Sequence, residues 1–238
     1  QLSGGTICAA VVKSDAYGLG LEPVAIRLAD EGCNSFFVAL MEEAISLRTI
    51  LKQHNKEAEI YLLNGIVEGS ESDFDHFDIT PVLNSLAEIE RWSSHAKKSG
   101  NRKGILNIDT GMSRLGLDTR ELDTFAEKPE LADGVEITYV MSHLACADDR
   151  TSAMNPGQRS LFDEYRIRLG LKKASFANSA GILLGPEYHY NLVRPGAAIY
   201  GIQPITNEIN KILQVINLKG KILQTRTVDT GGTVGYGA

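Results

Sequence analysis

The chain has 238 residues, with 24 basic and 30 acidic side chains and a formal net charge of −6. This mildly acidic balance argues against binding to nucleic acid or anionic lipid, because both require clustered lysine and arginine. No apolar run reaches the roughly 18 residues of a membrane helix, and the opening QLSGGTICAAVVK lacks the basic leader of a secretory signal. The three cysteines form no C-x-x-C motif, so we expect a cytoplasmic α/β protein in a reducing compartment.

Short apolar, β-branched runs alternate with amphipathic segments along the chain, a pattern typical of parallel strands joined by helices. Strands are predicted, in chain order, at residues 6–13, 35–41, 59–64, 79–84, 104–109, 136–142, 174–178 and 192–200. Helices are predicted at 23–31, 42–53, 86–99, 119–127 and 158–169, with a short one at 180–184. Turn residues separate these elements, including Gly32, Gly100 and the pair Pro156 and Gly157.

The spacing of the strands favours a barrel. Eight strands in about 195 residues correspond to roughly 24 residues per strand–helix unit, which suits a compact (β/α)8 barrel of the TIM type. A doubly wound open sheet is the alternative, but a dinucleotide-binding sheet would show G-x-G-x-x-G directly after its first strand. Here the first strand leads into KSDAYGLG, beginning at Lys13. We therefore predict an α/β barrel.

The pattern changes near the end of the chain. From Lys211 onwards, apolar and β-branched residues follow one another without a helical segment. Because an isolated two-stranded hairpin is only marginally stable, we expect residues 206–238 to be the truncated start of a C-terminal β domain. Residues 1–205 then form the barrel domain.

Polar residues follow the predicted strands at one end of the barrel. Catalytic groups in such barrels gather at the carboxyl ends of the strands, where the strand-to-helix loops meet. The residues at these positions are Lys13, Asp109, Arg114, His143, Asn178, Ser179 and Arg194. Taken singly, each has an ordinary structural explanation, such as a solvated lysine or a helix cap. Together, five polar clusters at one rim favour a functional site.

The residue types at this rim restrict its chemistry. The chain has no metal-ligand spacing among its His, Cys, Asp and Glu residues, no G-x-S-x-G motif and no P-loop, so no metal is predicted. Ser179 and the backbone N–H groups at Gly196 and Ala197 would form a phosphate site, which is common after strands seven and eight. A lysine beside a phosphate site indicates Schiff-base chemistry, in either a sugar-phosphate aldolase or a pyridoxal phosphate enzyme.

The segment AVVKSDAYGLG surrounds Lys13, and the segments NIDTGMSRLG, SH, ANSA, VRPG and the closing VGYG follow it along the chain. In order and spacing, over nearly the whole chain, these segments resemble the alanine racemase family, and the first is similar to the pyridoxal phosphate motif of that family. The resemblance implies a barrel that holds pyridoxal 5'-phosphate as a Schiff base on Lys13. It also implies an enzyme that interconverts L- and D-alanine and supplies D-alanine for bacterial peptidoglycan.

The same resemblance implies a role for each matching residue. The residues implied to bind the cofactor are Lys13, Tyr17, His143, Asn178, Ser179, Arg194, Gly196 and Ala197. Arg114 would bind substrate near the phenolic oxygen of the cofactor, and Arg194 would face its pyridine nitrogen. Because arginine stays protonated and only donates hydrogen bonds, that nitrogen would remain unprotonated, which disfavours transamination. Lys13 and Tyr236 would be the two catalytic bases, with the tyrosine supplied by the partner subunit of a homodimer.

The sequence departs from the family pattern at two positions. Asn107 stands where family members often carry a lysine, carbamylated in some, and Leu19 stands where many have histidine. A neutral amide cannot be carbamylated, so Arg114 would need another negative partner. We hypothesise that this partner is a bound anion such as chloride.

Two alternatives to an alanine racemase remain open from the sequence. One is a racemase for serine or for a broad set of amino acids, and the other is a non-catalytic barrel that binds pyridoxal phosphate. A decarboxylase of this barrel type would carry an acidic residue against the pyridine nitrogen, which Arg194 argues against.

Overall fold

The structure is a computed structural model that describes residues 5–205 and 212–237. In this part of the chain the strands are β1 (Ile7–Cys8), β2 (Ala10–Val11), β3 (Ser35–Val38), β4 (Glu59–Leu62), β5 (Ile79–Leu83), β6 (Arg102–Asn107), β7 (Val135–Met141), β8 (Ala174–Asn178) and β9 (Leu192–Arg194). They form one sheet in the order β1-β9-β8-β7-β6-β5-β4-β3-β2, and every pairing is parallel. Because β1 and β2 follow one another in the chain, they act as one interrupted strand that closes the sheet into a barrel. The predicted (β/α)8 barrel is therefore confirmed.

The two segments of this first strand pair with different neighbouring strands. β1 pairs with β9, and β2 pairs with β3, since closing a barrel staggers its strands. Between them, Ala9 donates its N–H to the carbonyl of Val193 at 2.9 Å. The prediction of one continuous strand at 6–13 is therefore wrong, both in treating the strand as unbroken and in where it ends. It is interrupted at Ala9 and stops at Val11, before Lys13.

Helical segments connect the strands, and the first of them is left-handed at residues 14–17. They are α1 (Lys13–Gly18), α2 (Leu21–Asp30), α3 (Met41–Gln53), α4 (Glu71–His76), α5 (Leu86–Ser99), α6 (Thr119–Glu127), α7 (Met154–Arg168) and α8 (Ser179–Leu184), with 3₁₀ turns at Pro129–Ala132, Pro186–Tyr188 and Ala197–Tyr200. The sequence missed α4, a six-residue helix that buries only Phe74. None of the helices in the described residues is long and apolar enough to cross a membrane.

The strands bury apolar side chains on both faces. In β3, Phe36 packs in the larger cluster between the sheet and the helices, while Phe37 packs in a smaller cluster inside the barrel. Inside, the ring of Phe37 stacks on Tyr61 with centroids 4.7 Å apart. Burial on both faces explains why the strands read as continuous apolar runs. Since side chains fill the barrel interior, the functional groups lie at the strand ends.

Two further sequence predictions are corrected. The strand predicted at 192–200 ends at Arg194, because Pro195 has no N–H to donate to a ladder and residues Ala197–Tyr200 form a 3₁₀ turn. The residues of the turn predicted at Pro156 and Gly157 lie instead in the first turn of α7. Proline is tolerated there because the first N–H groups of a helix have no acceptor within the helix. The remaining predicted strands and helices have bounds within four residues of the observed ones.

The C-terminal tail does not contain the predicted strands. Residues 206–211, including Lys211, lie outside the described residues, and 212–237 contain neither helix nor strand. Apolar side chains such as Leu218 and Leu223 are almost fully exposed there. A strand needs a partner strand for its backbone hydrogen bonds. No segment of the described tail pairs with a strand of the barrel. The division of the chain into a barrel and a second domain stays a prediction.

Arg48 of α3 supplies a prediction about stability. It is buried at the amino ends of β4 and β5, where its guanidinium donates to the carbonyls of Ala58 and Phe77 at 2.9 Å and to that of Asp78 at 2.5 Å. Arg48→Met would leave three carbonyls without a donor, so we expect the free energy of unfolding to fall by about 2–4 kcal/mol in urea denaturation.

The control is Arg27→Met, which removes an exposed ion pair with Glu31 one helical turn away. Such surface pairs contribute little, so its loss is expected to cost less than about 1 kcal/mol. Equal losses in the two variants would contradict the structural role of Arg48.

Candidate active site

A cavity of about 520 Å³ opens at the carboxyl ends of the strands. Most of the residues singled out from the sequence line it: Lys13, Tyr17, Arg114, His143, Asn178, Ser179, Arg194, Gly196 and Ala197. Asp109 and Asp148 line it as well. The exception is Tyr236, which is fully exposed in the tail and does not line the cavity. The structure therefore gathers these side chains at one site, whereas their individual roles stay predictions.

Lys13 begins a turn of unusual handedness. The four residues that follow, Ser14, Asp15, Ala16 and Tyr17, have φ between 53° and 59°, which is the left-handed helical region. Each such residue with a Cβ costs roughly 1–2 kcal/mol, so surrounding contacts must hold the turn. The turn brings Lys13 and Tyr17 to the same cavity. Strain of this kind clusters at functional sites.

Hydrogen bonds fix both ends of this turn. The Ala16 N–H donates to the carbonyl of Val12 at 3.0 Å. The Leu21 N–H donates to the carboxylate of Asp15 at 2.7 Å, which ties the turn to the start of α2. At the other end, the Ser14 N–H donates to the carboxylate of Glu43 at 2.6 Å.

Tyr17 lies against the loop that follows β9. Its ring packs on Tyr200 with centroids 4.9 Å apart, and the Tyr200 hydroxyl donates to the carbonyl of Val11 at 3.1 Å. The Tyr17 hydroxyl lies so close to Gly196 that a Cβ at this position would overlap it. Burial raises the pKa of Tyr17, so the phenol stays neutral and able to donate.

Ser179 completes a group of neutral donors beside Tyr17. Its hydroxyl oxygen accepts from the N–H of Gly196 at 2.9 Å and from that of Ala198 at 3.1 Å. Two hydroxyls and two backbone N–H groups thus converge. The N–H groups donate to the Ser179 oxygen here, and hydroxyl and backbone N–H groups are the donor types that suit a phosphate. Ala197 lies between Gly196 and Ala198 and lines the cavity, and its expected role in holding a phosphate stays a prediction. The N–H of Ala198 is a further donor that the sequence analysis did not name.

His143 is held as a neutral imidazole. Burial, followed by the charges of Arg194, Arg114 and Lys13, lowers the pKa of His143 to about 3. Its Nε2 lies 3.4 Å from the side-chain nitrogen of Asn178, which donates, so we assign the ring proton to Nδ1. The oxygen of the same amide accepts from the Gly181 N–H at 2.9 Å and caps α8. Asn178 therefore orients both the imidazole and a helix.

Arg194 is a buried cation among neutral acceptors. Only 4% of it is exposed. One guanidinium nitrogen donates to the Ser175 hydroxyl, and the other donates to the carbonyls of Ser142 at 2.6 Å and Phe176 at 3.4 Å. Burial lowers the pKa of Arg194 to about 9, which leaves it protonated at neutral pH. Its charge therefore acts on the cavity without neutralisation by these partners.

Sequence reasoning missed a buried amide that supports the loop after β7. Gln158 of α7 donates to the carbonyl of His143 at 3.0 Å and to the Thr110 hydroxyl at 3.2 Å. Its oxygen accepts from the Ala145 N–H at 2.9 Å. The Thr110 hydroxyl lies 2.8 Å from that of Ser142. Because these partners are distant in sequence, no local pattern could have identified Gln158.

Asn107 belongs to a chain of amides under the rim. Its side-chain nitrogen donates to the side-chain oxygen of Asn84 at 2.8 Å. Asn84 donates in turn to the carbonyls of Leu63 and Val82, both at 3.1 Å. Arg114 is exposed at the cavity mouth nearby. The chloride expected beside Arg114 stays a prediction.

The fold and the site define a class. A parallel barrel with a lysine, a neutral imidazole and a phosphate-type donor group at its mouth belongs with barrel proteins that hold a phosphorylated aldehyde through an amine. A sequence model described as "Alanine racemase, N-terminal domain" matches residues 1–204. The chain therefore belongs to the family of alanine racemase N-terminal domains.

Relatives and solved structures agree with this assignment. The catabolic alanine racemase of Mesorhizobium japonicum is 45% identical over 237 residues, covering 99% of this chain and 61% of that protein. The alanine racemase of Rhodospirillum rubrum is 41% identical over 239 residues, covering 100% of this chain and 63% of that protein. The Bartonella henselae alanine racemase, solved with covalently bound pyridoxal phosphate, superposes with a TM-score of 0.80 at 42% identity, covering 84% of this chain and 58% of that one. The chain thus spans about three fifths of the length of its curated relatives.

The environment of His143 predicts a dependence of stability on pH. The folded pKa of about 3 lies below the ordinary value of 6.5, so between these values the unfolded chain binds a proton that the folded chain does not. As pH falls from 6.5, the free energy of unfolding should therefore fall by up to about 1.4 kcal/mol per pH unit from this group. His143→Gln should remove that part of the slope in urea denaturation between pH 7 and 5.

His54→Gln is the matched control, because the His54 side chain is partly exposed and faces Glu22 at 3.3 Å. It should leave the slope close to that of the wild type. An unchanged slope in His143→Gln would show that His143 is not held neutral by the fold.

Proposed function

We propose that the protein is an alanine racemase that uses pyridoxal 5'-phosphate. The observation that carries the proposal is that Lys13 lines the same cavity as the donor group formed by Tyr17, Ser179 and Gly196. The family assignment and the printed names of the relatives support it.

The residues of the cavity fit the cofactor. The hydroxyls of Tyr17 and Ser179 and the backbone at Gly196 would hold the phosphate, and the Lys13 amine would hold the aldehyde carbon covalently. The flat, neutral ring of His143 would lie against the cofactor ring. When bound, pyridoxal phosphate withdraws electrons from the α-carbon of an attached amino acid and so makes its proton more acidic.

Arg194 would select the reaction. Its guanidinium stays protonated and can only donate, so a pyridine nitrogen facing it is kept from taking up a proton. This moderates electron withdrawal, which disfavours transamination relative to racemisation. Burial and then the same charge lower the pKa of His143, so the imidazole does not compete as a proton donor. A decarboxylase would need an acidic residue where Arg194 stands.

Racemisation needs two bases on opposite faces of the α-carbon. Lys13 would be one, because its amine lines the cavity that would hold the α-carbon. Tyr236 would be the other, supplied by the partner in a homodimer. Its complete exposure in the single chain leaves it available to a second copy. Arg114, at the cavity mouth, would orient the substrate.

The proposed biological role is the supply of D-alanine for peptidoglycan in the cytoplasm. A second role is favoured by the names of relatives from Mesorhizobium japonicum and Agrobacterium fabrum, which specify a catabolic alanine racemase. The chemistry at the α-carbon is the same in both roles, and only the direction of net flux differs.

Deuterium exchange at the α-carbon tests the proposal. With pyridoxal phosphate in D₂O, the protein should exchange the α-proton of both L- and D-alanine, followed by NMR. Lys13→Ala should reduce exchange by at least about 10³-fold, because a catalytic base is lost, whereas the surface variant Lys52→Ala should not. Cofactor binding without exchange would favour the non-catalytic barrel. Faster exchange of serine than of alanine would favour the serine racemase.

Tyr236→Phe tests the two-base assignment. Removing the phenolic hydroxyl should slow abstraction from one alanine enantiomer far more than from the other, because each base serves one face of the α-carbon. Primary isotope effects measured with each α-deuterated enantiomer report this asymmetry. Equal losses in both directions would mean that Tyr236 is not the second base.

A further inference from the structure

Three helices of the barrel carry a glutamate at their third position that reaches back to the segment following an earlier strand. Glu43 of α3 accepts from the N–H of Ser14, and Glu121 of α6 accepts from that of Leu86 at 3.0 Å. Glu88 of α5 hydrogen-bonds the backbone of Ile66. The barrel thus joins successive loops through carboxylates at helix starts, where acidic side chains are also favoured by the helix dipole.

Glu43 is the member of this set whose partner, Ser14, directly follows Lys13 in the chain. One carboxylate oxygen accepts from the Ser14 N–H at 2.6 Å. The other accepts from the N–H groups of Ala39 and Leu40 at 2.8 and 3.1 Å. Both oxygens are used, and a single side chain fixes two separate segments of the rim.

The contact with Ser14 matters because of where Ser14 lies. It directly follows Lys13 and is the first residue of the left-handed turn at 14–17. The first N–H of a helical turn has no acceptor within the turn, so Glu43 supplies the missing one. Without it, the turn could relax towards a right-handed conformation, which would redirect the Lys13 side chain.

We propose that Glu43 is a positioning residue for Lys13, acting by holding the left-handed turn through the Ser14 N–H. Its effect on the cofactor rests on the proposed function, whereas its effect on the turn does not. Loss of the Glu43 carboxylate loosens residues 13–18 and weakens the capture of an aldehyde by the Lys13 amine.

Glu43→Gln is the principal variant because it keeps the size of the side chain. Its single amide oxygen can retain the two bonds to Ala39 and Leu40, and the amide nitrogen then faces the Ser14 N–H, which loses its acceptor. Glu43→Ala removes all three bonds. Glu121→Gln is the matched control, since it makes the same change in a carboxylate that binds Leu86 and not the lysine turn.

Hydrogen exchange in the protein without cofactor is the first readout. Amides at 14–18 should exchange at least about tenfold faster in Glu43→Gln than in the wild type, the effect of losing one charge-assisted hydrogen bond. Glu121→Gln should leave these amides unchanged and loosen those near Leu86. Unchanged exchange at 14–18 in Glu43→Gln, or an equal change in both variants, would overturn the proposal.

Titration with pyridoxal phosphate is the second readout, followed by the absorbance of the lysine-bound form. Glu43→Gln should bind at least about tenfold more weakly than the wild type, and Glu121→Gln should bind as the wild type does. Equal affinity in all three proteins would overturn the link to Lys13. If the wild type takes up no cofactor at Lys13, the proposed function fails, and the exchange measurement still decides whether Glu43 holds the turn.

Discussion

The site depends on the left-handed turn that follows β2. Four successive residues with positive φ carry the chain away from the barrel directly after Lys13, so the lysine and Tyr17 reach the same cavity. A right-handed helix begun at Lys13 would also place these two residues, four apart, on one face, but the chain would leave the strand in a different direction. The conformation is unfavourable for residues with a Cβ, and acceptors from outside the turn compensate. The position of the amine is therefore a property of the whole rim and not of the local sequence.

Charge is the second constraint on the rim. Arg194 is a buried cation whose hydrogen-bond partners are the neutral oxygens of Ser175, Ser142 and Phe176. Burial first, and then its charge with those of Arg114 and Lys13, lowers the pKa of His143 and keeps the imidazole neutral. The cavity is lined by the three cations Lys13, Arg114 and Arg194 and by the two carboxylates Asp109 and Asp148. The excess of positive charge favours an anionic group such as a phosphate or a carboxylate. The neutral imidazole of His143 adds no further cation to this cavity.

The sequence predicted those parts of the molecule that depend on local pattern or on strand order. The helices Leu86–Ser99 and Thr119–Glu127 have the predicted bounds, because an amphipathic stripe and a polar N-cap coincide at each. The residues of the rim could be found because a barrel brings all its strand ends together. The left-handed turn contradicts local propensity, and Gln158 acts through contacts distant in sequence, so neither could be read from the chain. The tail reads as β-structure from its composition, but strands form only when paired.

The crystal structure of the protein grown with pyridoxal phosphate tests the central claim most directly. We expect continuous electron density between Nζ of Lys13 and the cofactor, with residues 14–17 retaining positive φ. The phosphate should lie among Tyr17, Ser179 and Gly196. Cofactor joined to a different lysine, or a Lys13 side chain directed into solvent above an otherwise intact cavity, would contradict the account.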